Sequence, residues 1–65
     1  MPIINASILA GRTREQKRAL IRELAEGAQR ALGVREDQVR VIITEVAPDH
    51  WGVGTLSKAD LEGQT

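Results

Sequence analysis

Hydrophobic and polar positions divide the chain into segments of different period. From Pro2 to Ala10 the pattern alternates, with Ile4, Ala6 and Ile8 on one face and Ile3, Asn5, Ser7 and Leu9 on the other, which predicts a β-strand. Apolar residues on both faces predict cover on both sides. Pro2 has no N–H for a ladder, but this does no harm at the first residue of a strand, and Gly11 ends the pattern. A helical period follows. Thr13 with Gln16 three places later is a capping-box pattern, and Leu20, Ile21, Leu24, Ala25, Ala28, Ala31 and Leu32 recur at helical spacing. They predict a helix from about Arg14 to Leu32, with Gly33 as its C-cap. Lys17, Arg18, Arg22, Glu23, Glu26 and Arg30 form its solvated face, Glu26 and Arg30 being spaced as an i,i+4 pair. Gly27 costs about 1 kcal/mol relative to alanine inside a helix, so its presence predicts close packing on a sheet. Val39 to Val46 alternates again, with Val39, Val41 and Ile43 on one face and Arg40, Ile42, Thr44 and Val46 on the other.

Strand, helix, strand implies a parallel pair joined by a right-handed crossover. One helix then covers one face of a two-stranded sheet and leaves the other bare. Asp49 to Gly54 is rich in turn residues, and Leu56 to Leu61 is expected to add a short terminal hairpin or strand. The fold class is α/β, a β-α-β protomer in one domain over residues 1–65. Of its 27 hydrophobic residues eight are alanine, Trp51 is the only aromatic, and there is no cysteine. Chains this small are usually rescued by disulfides, a metal or oligomerisation. The absence of cysteine removes the first, and a single histidine argues against a structural zinc site. Oligomerisation remains, and is expected to complete the sheet.

Nine Lys and Arg balance nine Asp and Glu, so the chain has neither the basic footprint of a nucleic-acid binder nor an acidic tail. The apolar runs are too short to span a membrane, and the basic start and apolar core of a signal peptide are missing. A cytoplasmic protein with no nucleic-acid or membrane partner is expected. Arginine outnumbers lysine seven to two. Because a guanidinium binds carboxylates bidentately and keeps its charge in apolar surroundings, the bias points towards small anions.

The chain has no cysteine nucleophile, histidine pair or glycine-rich phosphate loop, and Ser7 or Ser57 with His50 lacks the context of a triad. His50 reads as a surface turn residue. Pro2 stands out. A proline after an initiator methionine normally permits removal of Met1, which leaves a secondary amine at the chain end; while Met1 is attached, that nitrogen is a tertiary amide and not a base. An α-amino group has an unperturbed pKa of about 7.7–8.0, and burial beside cations such as Arg12 and Arg40 disfavours its protonated form. A neutral amine beside two guanidinium groups suits proton abstraction next to a carbonyl in a small carboxylate-bearing substrate. Pro2 also fits the plainer role of a residue that starts a strand.

Pro2-Ile3-Ile4, Ile8-Leu9-Ala10-Gly11-Arg12-Thr13 with Glu15-Gln16-Lys17, Val39-Arg40-Val41-Ile42-Ile43-Thr44-Glu45 and His50-Trp51-Gly52-Val53-Gly54 together resemble the 4-oxalocrotonate tautomerase family, from Pro2 to about Lys58. The resemblance implies a β-α-β protomer whose sheet pairs with a second protomer into a four-stranded dimer, with three dimers forming a hexamer. It implies an isomerase that needs no cofactor or metal. The processed Pro2 would be the general base that moves a proton from an enol oxygen to a distant carbon of a 2-hydroxymuconate-like dienol, giving the conjugated ketone. Arg12 matches the family arginine that holds the far carboxylate. Arg40 matches the one, from a neighbouring protomer, that contacts the 2-oxygen and the near carboxylate. Trp51 stands where the family has an aromatic, usually phenylalanine, and the Leu9 backbone lies against the same pocket.

The sequence departs from the family pattern in places. Trp51 changes the pocket volume, Thr55 replaces a second glycine, and Asp60 to Thr65 does not match the family's basic end. Related dehalogenases and hydratases use a carboxylate near position 53, where this chain has Val53, which argues against water activation. Two other readings stand beside the dienol tautomerase: a non-catalytic oligomeric binding protein of the same fold, and an enzyme recruited to a different, biosynthetic enol. In the plainer alternatives Arg40 is a solvent-facing strand residue and Trp51 fills a gap between subunits.

Overall fold

The structure, a computed structural model, describes residues 1–63; Gln64 and Thr65, the end of the divergent tail, lie outside the described residues. Strand β1 runs Ile3–Leu9, helix α1 Arg14–Leu32 and strand β2 Arg40–Val46. The strands are parallel, in a register from Ile3 opposite Arg40 to Leu9 opposite Val46. The predicted capping box starts α1: Thr13 Oγ1 accepts from the Gln16 N–H at 3.0 Å and Gln16 Oε1 accepts from the Thr13 N–H at 2.9 Å. Gly33 closes the helix with φ 68°, its N–H donating to the Gln29 carbonyl at 2.9 Å.

Helix α1 packs chiefly over β2, where Lys17 Nζ meets Glu45 Oε1 at 2.7 Å. Lys17 is thus tied to the sheet rather than belonging to the solvated face. The Glu26–Arg30 pair does not close; the ion pairs among the described residues are Lys17–Glu45, Arg22–Glu23 and Arg35–Asp37. Nor does Gly27 mark a close approach to the sheet. A Cβ built there would meet only the Arg30 guanidinium, at 3.9 Å.

Ile4, Ala6, Ile8, Val41 and Ile43 face the helix and are half-buried. Val39, 9% exposed, is the one buried hydrophobic residue among those described. On the opposite face Ile3 is 61% and Ile42 50% exposed, so β1 is not covered on both sides within one chain. A single helix reaches only one face. Ile21, Ala31 and Leu32, expected on the packed side of α1, are exposed as well, because two strands about 4.8 Å apart make a strip narrower than a helix of about 10 Å diameter.

After β2 the chain makes a 3₁₀ turn at Pro48–His50, an antiparallel hairpin of β3 (Gly52–Val53) with β4 (Leu56–Ser57), and a short helix α2, Lys58–Glu62. The hairpin is as expected, but the rest of Leu56 to Leu61 is helical. Ser57 Oγ accepts from the Asp60 N–H at 3.1 Å and Asp60 Oδ2 accepts from the Ser57 N–H at 3.3 Å. This second capping box starts a helix where β4 stops. No helix among the described residues is long and apolar enough to cross a membrane.

Candidate active site

Pro2 directly precedes β1, and its carbonyl accepts the N–H of Arg40, the first residue of β2, at 3.0 Å. The parallel ladder therefore sets these two residues side by side at one end of the sheet. With Met1 attached and 77% exposed, the Pro2 nitrogen is an amide without a free pair for a proton. Arg40 lies on the bare side of the sheet with Ile42 and Thr44. Its Nη1 donates to the carbonyls of Asp37 at 2.8 Å and Val39 at 3.2 Å, so the guanidinium is anchored by neutral oxygens. Among the described residues no carboxylate pairs with Arg40 or Arg12, and both charges remain open to an anionic ligand.

Leu9, Arg12 and Trp51 belong to the other end. Leu9 closes β1 opposite Val46, and the Ala10 N–H continues the ladder to the Val46 carbonyl at 2.9 Å. Gly11 then turns the chain with φ 117°, a conformation that residues with a Cβ rarely adopt. The turn delivers Arg12, exposed, just before the Thr13 cap. Trp51 follows the 3₁₀ turn beyond the end of β2 and is half-buried; its carbonyl accepts the Lys58 N–H at 2.7 Å, joining it to the start of α2.

The five predicted site residues are thus not brought together within one chain: Pro2 and Arg40 are neighbours at one end of the sheet, Leu9 and Arg12 follow one another at the other, and Trp51 lies past that end of β2 against the start of α2. Seven residues of β1 at about 3.3 Å each put roughly 20 Å between Pro2 and Arg12. Two concavities of the single chain, about 440 Å³ at Arg35, Glu36 and Asp37 and about 370 Å³ along α1 at Arg18, Ile21, Arg22 and Glu36, include none of the five. Among the described residues no cluster of His, Cys, Asp or Glu is placed to hold a metal ion. The anchoring of Arg40 by the 3₁₀ turn Glu36–Gln38 was not foreseen from sequence. Its signal is the Arg35-to-Gln38 spacing, which lets the Gln38 side chain at the third position of the turn accept the Arg35 N–H.

A family model described as tautomerase enzyme matches residues 2–61. The chain belongs to the tautomerase family. Over 54 residues, 83% of this chain and 86% of the relative, the tautomerase is 52% identical to a 2-hydroxymuconate tautomerase of Pseudomonas putida. A solved heterohexameric 4-oxalocrotonate tautomerase from Chloroflexus aurantiacus J-10-fl superposes with a TM-score of 0.89 at 44% identity, covering 94% of this chain and 98% of that one. TomN, a 4-oxalocrotonate tautomerase homologue in the tomaymycin biosynthetic pathway, superposes with a TM-score of 0.95 at 35% identity, covering 97% of each. The tautomerase therefore has the family's β-α-β fold with its C-terminal hairpin, and its chemistry is that of an isomerase.

Proposed function

We propose that this tautomerase converts a 2-hydroxymuconate-like dienol to its conjugated ketone, with Pro2, freed of Met1, as the general base. The Pro2 nitrogen takes the proton of the 2-hydroxyl group, the oxygen electrons form the carbonyl, and the displaced π electrons reach a distant carbon. The prolinium N–H returns the proton there. No atom is gained or lost, and the cycle regenerates the amine. Arg12 holds the far carboxylate, while Arg40, from a protomer neighbouring the one that supplies Pro2, faces the 2-oxygen and the near carboxylate, where negative charge grows as the proton leaves. Trp51 walls the pocket and the Leu9 backbone lines it.

The observation that carries this reading is the division of the site between the two ends of one protomer. An antiparallel partner sheet would set one chain's Pro2 end beside another's Leu9, Arg12 and Trp51, so the pocket exists only in an oligomer. The exposed Ile3 and Ile42 and the nearly absent core support that assembly, and we place it at a homohexamer of three dimers. The identity to the Pseudomonas putida relative supports the substrate class. The test is ultraviolet-monitored ketonisation of 2-hydroxymuconate by protein whose loss of Met1 is confirmed by intact mass. Pro2→Ala is expected to lower kcat/KM by at least about 100-fold, within the usual range for a general base; near wild-type turnover by that variant would end the proposal.

The likeness to TomN favours one second reading, the same base acting on a biosynthetic enol. Negligible turnover of 2-hydroxymuconate together with Pro2-dependent turnover of another enol acid would select it.

A further inference from the structure

Arg40 enters β2 directly from a turn that is unusually well tied for four residues. Gln38 Oε1 accepts the Arg35 N–H at 2.9 Å. The Arg35 carbonyl accepts the Gln38 N–H at 3.0 Å, and the Glu36 carbonyl accepts the Val39 N–H at 3.2 Å. Gln38 is half-buried between exposed Asp37 and buried Val39, and its amide oxygen closes the turn by accepting the Arg35 N–H at the surface. The closed turn aims two carbonyls, of Asp37 and Val39, at Arg40 Nη1. The Asp37 carboxylate is held elsewhere, by Arg35 Nε at 3.2 Å. Arg40 is thus oriented without being neutralised. A guanidinium is planar, and with Nη1 engaged the edge made by Nε and Nη2 is the one left for bidentate contact with a carboxylate.

We propose that Gln38 is a positioning residue for Arg40, locking the turn that presents the Nε–Nη2 edge to the substrate carboxylate. This rests on the reading above of Arg40 as a substrate contact. Gln38 touches no substrate itself. Leucine in its place keeps much of the volume but leaves the Arg35 N–H without its acceptor; glutamate keeps an acceptor at the same reach.

The test places Gln38→Leu and Gln38→Glu in the wild-type and Arg40→Ala backgrounds of the oligomer with Met1 removed. Two quantities are read: kcat/KM for 2-hydroxymuconate, and the dissociation constant of adipate, an unreactive six-carbon dicarboxylate. Trp51, the only aromatic residue, reports adipate binding by fluorescence. Gln38→Leu is expected to lower kcat/KM and weaken adipate binding by roughly threefold to tenfold, the range of one hydrogen bond's net effect. Gln38→Glu is expected to restore both, and in the Arg40→Ala background Gln38→Leu is expected to change adipate binding no further. An equal loss in both backgrounds would assign Gln38 a merely structural role and overturn the proposal, as would wild-type behaviour of Gln38→Leu. Full activity of Arg40→Ala alone would instead remove Arg40 from the site, a failure of the functional reading that the Gln38 variants do not share.

Discussion

Gly11 shows how much a single residue decides here. With φ 117° it turns the chain out of β1 and sets Arg12 at the end of the sheet. The space around it is open, since a Cβ there meets nothing within 4 Å. Within one chain, backbone strain is therefore the whole cost of a side chain. Gly11→Ala is expected to lose about 1–3 kcal/mol of stability, measured by urea denaturation at fixed protomer concentration, and to weaken substrate binding through displaced Arg12. Gly27 is the counter-case. It has ordinary helical geometry and only the Arg30 side chain nearby, so Gly27→Ala is expected to raise stability by about 0.5–1 kcal/mol. A loss in the same denaturation series would mean that another protomer packs against Gly27.

The elements were legible wherever their signals are local. Thr13 with Gln16 and Gly33 marked both ends of α1, because a cap is made by residues a few places apart. The alternation of β1 and β2 identified the strands and the face that α1 covers. Other features depended on information that the sequence pattern does not carry. Lys17 looked like part of a solvated face because its partner, Glu45, is 28 positions away across the sheet. The stretch from Leu56 to Leu61 suggested extended chain, yet Ser57 and Asp60 form a box that turns it into α2. At the candidate site, Pro2, Arg12 and Arg40 were named from sequence because an amine and two guanidinium groups show their chemistry in the residue type, whereas Leu9 and Trp51 were named only through the family resemblance. Their distribution between two ends needed the parallel register. The grip on Arg40 was hidden for a different reason: its acceptors are main-chain carbonyls, which every residue possesses.

At the scale of the molecule, the protomer measures 46 × 24 × 14 Å. The thinnest dimension holds one sheet and one helix, about 10 Å between layers, and has no place for a second layer of core. Folding and activity are expected to depend on protomer concentration together. The division of the site gives a sharper expectation. Pro2→Ala and Arg12→Ala proteins, each inactive alone, should regain activity when unfolded together and refolded as mixed oligomers. At equal amounts roughly a quarter of wild-type kcat is expected, since each site draws one intact residue from each of two chains at random. Absence of recovery in mixed oligomers verified by native mass spectrometry would contradict a shared site. The two-stranded sheet has a further consequence. Both of its long edges carry unpaired N–H and C=O groups when the protomer is alone, and an edge can be satisfied by its own symmetry mate, which closes, or by the opposite edge of another copy, which does not. The second choice repeats without end. Conditions that dissociate the assembly while the strands stay folded are therefore expected to produce growing ribbons, seen as light scattering that rises while the circular dichroism of the strands persists, whereas complete unfolding or complete assembly leaves the solution clear.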